Sequence, residues 1–287
     1  MRSLLFSLAA LAACTDATPP LDDVVVALDP FTIAPGTDQV FCQYVPADGA
    51  EHWLSGFTTD MTPGSHHLLV FRVDESKGMV PAAGRHTCDQ LELPPGVDGM
   101  LPGSQQPHTD VALPAGIAMR LGPQHGLFFQ FHYVNGSDAP LEATITWRAT
   151  ATDPTAVTDT AGMMFYSNFD LQVPPGTSVA TQHCTLPYAR TLLGATGHMH
   201  RRGVAFDAVT DDTVLYHASS WTEPPLTAYD PPLQLPKGAR VTWSCTYENP
   251  DATTYVFGPS ATDNEMCIFA AIYYPAPDSA TDFGCEP

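Results

Sequence analysis

Phe129-Gln130-Phe131-His132-Tyr133, the centre of the run 127–134, alternates aromatic and polar side chains with the period of two that belongs to a strand. Seven other short runs share its β-branched or aromatic character: 40–45, 67–73, 143–149, 163–171, 205–210, 239–245 and 267–274. Each is bounded by Gly, Pro, Asn or Asp, and convincing helical periodicity is absent. With 28 prolines and 21 glycines the chain suits many turns rather than long helices, so the spacing predicts an all-β fold, an antiparallel sandwich or jelly roll.

At 287 residues the chain has room for one large or two medium domains. Residues 1–13, MRSLLFSLAALAA, carry one Arg and then an apolar run, and read as a signal peptide. Leu11-Ala12-Ala13-Cys14 resembles a bacterial lipobox, which makes Cys14 the expected lipidated residue and the protein an exported periplasmic or cell-surface lipoprotein, held at a membrane by its lipid anchor only. Residues 14–37, rich in Pro, Asp and Thr, read as a lipidated tether that ends in a poorly ordered entry strand, with the folded region starting near Gln39. A lull at 149–160, containing Asp153-Pro154, is the expected linker between domains spanning 38–150 and 160–287. The balance of 11 Lys+Arg against 31 Asp+Glu, a formal net charge of −20, argues against nucleic acid as a partner. Without Cys14 six cysteines remain, an even number suited to disulfides in an oxidising compartment, although six allow fifteen pairings and their spacing chooses none.

The histidines carry the chemistry. His198 and His200 flank Met199; on a strand both rings point to one face and can close on one ion, and the thioether of Met266, in Asp263-Asn264-Glu265-Met266-Cys267, can complete a soft site that favours copper. An isolated His-x-His is nevertheless more often a pair of surface histidines, and a lone Met beside an apolar strand more often fills a core. Upstream, His66 and His67 are adjacent, so both can reach one metal only at an irregular strand start or bulge, which Pro63-Gly64-Ser65 could supply; one ring inward and one outward is the even alternative. His132, taken singly, reads more simply as a core or surface histidine. His52, His86, His108, His125, His183 and His217 form no pair at chelating spacing. The chain has no G-x-S-x-G, no P-loop, no G-x-G-x-x-G and no C-x-x-C, which disfavours serine hydrolysis, nucleotide chemistry and zinc-ribbon or thioredoxin readings. No His follows Cys267, which disfavours a blue-copper site.

Taken in order, these segments resemble the copper type II ascorbate-dependent monooxygenases, typified by the peptidylglycine α-hydroxylating and dopamine β-monooxygenases. The resemblance runs through Ser65-His66-His67-Leu68-Leu69-Val70-Phe71, Gln130-Phe131-His132-Tyr133, Val173-Pro174-Pro175-Gly176, Gly197-His198-Met199-His200, Asp263-Asn264-Glu265-Met266-Cys267 and Tyr273-Tyr274, and spans roughly 38–285. It implies two consecutive antiparallel jelly-roll β-sandwich domains and two copper ions. His66, His67 and His132 would hold an electron-transfer copper; His198, His200 and Met266 would be the catalytic ligands of an oxygen-binding copper. It also implies the disulfides Cys42–Cys88, Cys184–Cys285 and Cys245–Cys267, with ascorbate or another one-electron donor as reductant and dioxygen and a small molecule as co-substrates.

The resemblance breaks at the substrate. Where members acting on peptidyl-glycine place an Arg that clamps a carboxylate, this chain has Thr196; where they place an Asn and two Tyr, it has Ile268, Ala270 and Val40. Loss of the guanidinium removes the device that fixes a carboxylate. These four residues are therefore expected to line a pocket for something small or apolar. The resemblance implies a dicopper monooxygenase, and a non-catalytic copper-binding or electron-transfer protein on the same scaffold is the competing reading.

Overall fold

A computed structural model of the protein describes residues 22–283, apart from 79, 83, 90–92 and 212. The run 127–134 lies in the strand His125–Asn135, the middle of a five-stranded sheet ordered Gly84–Thr87, Thr37–Val45, His125–Asn135, Ser65–Asp74, Val97–Ser104. A second sheet packs against it, built from Val24–Ile33, Leu141–Ala151, His52–Met61, His108–Ala112, Ile117–Leu121 and Asp159–Thr160. The alternation decides which side chains go where. Phe129, Phe131 and Tyr133 face the core shared with Leu54, Phe57, Ile145 and Trp147 of the other sheet. Trp147 is fully buried there, its ring 5.8 Å from that of Phe129 and its indole N–H donating to the Pro102 carbonyl at 2.9 Å. Phe128 belongs to a separate cluster with Cys42, Tyr44, Phe71 and Met100, against which Met163 and Phe165 of the second half pack.

The second half repeats the two-sheet plan. One sheet is ordered Gly162–Ser167, Cys267–Tyr274, Arg190–Met199, Thr227–Leu235; the other Gly176–Thr185, Arg240–Asn249, Gly203–Thr210, Thr213–Ala218. Between them lie Tyr166, Phe206, Trp243, Tyr247 and Phe269. The Cys245–Cys267 disulfide ties one sheet to the other, and Cys42–Cys88 ties the strand Thr37–Val45 to the segment after Gly84–Thr87. Cys184 is disulfide-bonded as well, while Cys285 lies outside the described residues, as do the leader 1–13 and Cys14. Three single-turn 3-10 helices are the only helices among the described residues, none long enough to cross a membrane. The protein is all-β, with sheets that are antiparallel but for the pairing of Asp159–Thr160 with Ile117–Leu121.

Two expectations about boundaries need correction. The stretch 14–37, expected to be a tether with a poorly ordered entry strand, contains a fully paired ten-residue strand, Val24–Ile33, matched with Leu141–Ala151, and its Leu28, Phe31 and Ile33 sit in the core. Pro30 obscured it in the sequence; it falls at a register break between Leu28 and Phe31, on an edge strand where a missing N–H is tolerated. The linker at 149–160 is likewise docked, its Asp159–Thr160 adding to the sheet of the first half. The halves themselves meet in apolar contact, since Leu193 and Ile272 join the core of the first.

Candidate metal centre

The adjacent histidines are reconciled by the backbone. Ser65 pairs with Tyr133 and His67 with His132, leaving His66 as an extra residue where the register shifts. Such a bulge turns neighbouring side chains toward one side, which regular pleating forbids. Gly64, at φ +102, makes the turn into it. The ring centroids of His66, His67 and His132 consequently lie 5.1–5.3 Å apart.

His198 stands near the end of Arg190–Met199 and His200 just beyond it, their rings 5.3 Å apart. The fully buried Glu265 fixes that corner, accepting from the backbone N–H groups of His200 at 3.2 Å and Arg202 at 2.9 Å and from the Arg202 guanidinium at 3.3 Å. Burial pushes the Glu265 carboxyl up to about 7, against the opposing pull of Arg202 and the His200 N–H. Met266 follows directly, buried at the start of Cys267–Tyr274, with its carbonyl accepting from the Tyr247 hydroxyl at 2.7 Å.

The two sets lie against each other. His66 lies 4.9 Å from His198 and 5.6 Å from His200, and His67 lies 5.2 Å from His198, ring to ring. Ring nitrogens of His66, His67 and His198 fall within 4.8 Å of one another. Five imidazoles thus form one cluster at the junction of the halves, with Trp221 edge-on to His66 at 5.3 Å.

The hydrogen bonds around the cluster assign its lone pairs. His132 donates from Nε2 to Asp38; His198 donates from Nδ1 to Gln105 Oε1 at 2.6 Å; His200 donates from Nδ1 to the Asn264 carbonyl at 3.3 Å. A neutral imidazole that donates from one nitrogen carries a lone pair on the other. Those other atoms, His132 Nδ1, His198 Nε2 and His200 Nε2, are buried with no hydrogen-bond partner among the described residues, as is His66 Nε2. Orphaned lone pairs of this kind, each backed by an oriented N–H, fit the ligand set of a soft or borderline metal such as copper. Burial, then the neighbouring imidazoles, holds His66, His67 and His198 well below the ordinary histidine range, and His200 at about 3 by the same leading cause. These four rings are neutral at physiological pH, the form that binds a metal.

Sequence reasoning missed the residues that do the orienting. Asp38 bridges the halves, its carboxylate taking His132 on one side and the Thr262 N–H, at 3.2 Å, on the other. Burial works to raise its carboxyl, and the bonds from His132 and Thr262 outweigh that and hold it below the ordinary range. Gln105 bridges in the opposite sense: it reaches from the first half to His198 and donates from Nε2 to Thr196 Oγ1 at 3.1 Å and to the Gly197 carbonyl at 3.0 Å. Neither residue sits in a motif, and their histidine partners are some ninety positions away.

Beside the cluster opens a cavity of about 440 Å³ with His67, His198 and Met266 in its wall. Thr196, Ile268 and Ala270 line it. Val40 does not: it sits opposite His132 in the strand pairing, away from this cavity. A second group, Asp74, Asp98 and His125, has ligand-like spacing, but its carboxylates are occupied by Arg72 and Lys77 in an ion-pair network.

The family model described as copper type II ascorbate-dependent monooxygenase, C-terminal domain, matches residues 162–285, a span that takes in His198, His200, Met266 and the Cys245–Cys267 bridge. No curated protein matches. Similar solved structures include the VP2 subviral particle of infectious bursal disease virus, 10% identical over 90% of this chain and 74% of that one with a TM-score of 0.21. PNGF-II is 9% identical over 92% of this chain and 60% of its own with a TM-score of 0.25, and AerE from Microcystis aeruginosa 8% identical over 88% of each with a TM-score of 0.15. Likeness at that level carries no argument.

Proposed function

We propose that the chain, whose residues 162–285 match the C-terminal domain of the copper type II ascorbate-dependent monooxygenase family, is an exported dicopper monooxygenase that hydroxylates a C–H bond of a small or apolar molecule. The overall reaction takes the substrate, dioxygen, two electrons and two protons to an alcohol and water, the electrons arriving singly from ascorbate or another one-electron donor. His66, His67 and His132 would hold the electron-transfer copper, and His198, His200 and Met266 the copper at which oxygen is used. Copper bound there supplies one-electron redox chemistry and dioxygen activation.

The chain's own residues do the rest. Asp38, Gln105 and Asn264 each take one imidazole N–H and so aim the opposite nitrogen into the cluster. That pattern is the observation that carries the proposal, because an imidazole buried merely for packing has no reason to present an unmatched lone pair to four others. Met266 adds a soft thioether on the side that faces the cavity, which suits a reduced, easily cycled metal. The apolar walls beside His198 and Met266 exclude water from the place where a C–H bond would be presented. The disulfides fit an oxidising compartment, and lipidation at Cys14 would anchor the protein at a membrane.

One observation favours the competing reading of a non-catalytic copper-binding protein: His66, His67 and His198, drawn from both halves, are close enough to share a single ion. Copper titration of the metal-free protein, followed by oxygen consumption with ascorbate, separates the two. Two coppers per chain, with reductant-dependent oxygen uptake abolished by Met266→Ala, is the expected result. One shared copper and no oxygen uptake would establish the binding protein instead, and no copper at all would overturn the ligand assignment.

A further inference from the structure

The cavity beside the cluster is unusual for so acidic a chain. Against a net charge of −20, not one Asp, Glu, Lys or Arg is among the described residues that line it. Its polar lining groups are largely spent on one another. Gln105 uses its carbonyl oxygen on His198 and its amide N–H groups on Thr196 and the Gly197 carbonyl. Ser104 is engaged with Thr109 and with the backbone of Gln106. A carboxylate or ammonium entering here would lose its hydration and gain no counter-charge, a cost that ordinarily excludes it.

The way in is apolar too. Phe169 (69% exposed), Leu93 (49%) and Phe283 (41%) line the cavity while reaching solvent. Phe169 packs edge-on against Phe257 at 4.9 Å, and Phe283 against Phe165 at 6.3 Å, so these rings form the wall of an entrance rather than scattered surface residues. Large exposed rings contiguous with a cavity mark a place where apolar matter is meant to be covered. At about 440 Å³ the space falls in the size range of pockets for drug-sized ligands.

We infer that the substrate of this site is an uncharged, predominantly hydrocarbon molecule that enters over Phe169, Phe257 and Phe283 and presents one carbon to the His198–Met266 end of the cavity. This deepens the monooxygenase reading and rests on it for the word substrate; the binding preference itself needs no metal. It also gives Thr196, Ile268 and Ala270 a positive role, as apolar or internally satisfied wall, beyond the loss of a carboxylate clamp.

The test is calorimetric titration of the metal-free protein with a chain-matched series: decan-1-ol, decanoate and decylammonium. Decan-1-ol is expected to bind with a negative heat-capacity change, and each ion at least 100-fold more weakly. Ala270→Phe, which fills the cavity, should weaken decan-1-ol binding at least tenfold. Phe169→Ser, at an exposed site that folding does not depend on, should weaken it severalfold. Copper stoichiometry, measured separately, should be unchanged in both variants. No binding of decan-1-ol, binding of decanoate or decylammonium within threefold of it, or indifference to both substitutions would overturn the inference while leaving the copper reading intact. Loss of the copper reading with decan-1-ol binding preserved would make the cavity a carrier site.

Discussion

Lowering the pH from 7 to 5 should unfold or open the metal-free protein, because the cluster keeps four imidazoles neutral where the unfolded chain would protonate them. His66, His67, His198 and His200 are all buried and all held below the ordinary range, His200 at about 3. For a base depressed in the folded state, the unfolded chain binds more protons below its own pKa of about 6.5, so stability falls as the pH drops through that value. Between pH 7 and 5 each neutral imidazole then costs about 2 kcal/mol, and four cost about 8 kcal/mol. Glu265 works the other way. Its carboxyl, raised to about 7, takes up a proton in the folded state first and returns about 2 kcal/mol over the same interval. The net loss of about 6 kcal/mol is comparable with the whole stability of an ordinary domain, about 5–15 kcal/mol. Urea unfolding of the metal-free protein at pH 7 and pH 5, followed by tryptophan fluorescence, reads the loss directly; small-angle scattering at pH 5 shows whether the halves separate instead, since the cluster lies between them. His198→Leu should reduce the loss by about a quarter of the histidine contribution. Equal stability at the two pH values, with unchanged dimensions, would refute the burial of neutral imidazoles on which the metal-site argument depends.

Gln105→Leu should leave the fold intact but release the His198 N–H, and copper affinity at the His198, His200 and Met266 set should fall about 10- to 100-fold, as for other lost partners of a ligating histidine. Gln105→Glu, which keeps an acceptor, should recover most of that; an unchanged affinity in the leucine variant, measured by competition with a copper(I) chelator, would remove Gln105 from the site. Trp147→Ala should cost about 3–5 kcal/mol, because it empties the core between the two sheets of the first half and takes away the donor to Pro102. A loss under 1 kcal/mol in urea unfolding would show that this core collapses around the vacancy.

The elements legible in the sequence are those whose information is local. Period-two alternation marked the centre of His125–Asn135, a short apolar and aromatic run marked Cys267–Tyr274, and the rule that adjacent strand residues face opposite ways left a bulge at His66 as one of two even readings, which the register shift decides. The strand Val24–Ile33 was legible only as a poorly ordered entry strand because Pro30 and its acidic neighbours mimic a tether, and its partner Leu141–Ala151 shows why a proline is harmless there. Val40 was placed by resemblance alone, which carries a position in a motif but not the cavity it borders; it pairs opposite His132 and is not among the residues that line the cavity.

What no local pattern could show is how the halves face each other, and that is where the site acquires its character. Asp38 in the first half orients His132 and at the same time grips Thr262 of the second. Gln105, also in the first half, orients His198 of the second. The tautomer of His198 is therefore set by a residue that stays in reach only while the halves are packed together. Were they to part, His198 would lose its acceptor and His66 its nearest neighbour from the other set, so the same displacement would disorder the ligands and dissolve the cluster. The cavity shares that dependence, since Met100 and Phe71 form one wall of it and Met266 and Ile268 another. Metal geometry and substrate enclosure are consequently two readouts of a single interface, and a substitution that loosens it should weaken copper and decan-1-ol binding together, whereas Gln105→Leu should weaken copper far more than decan-1-ol.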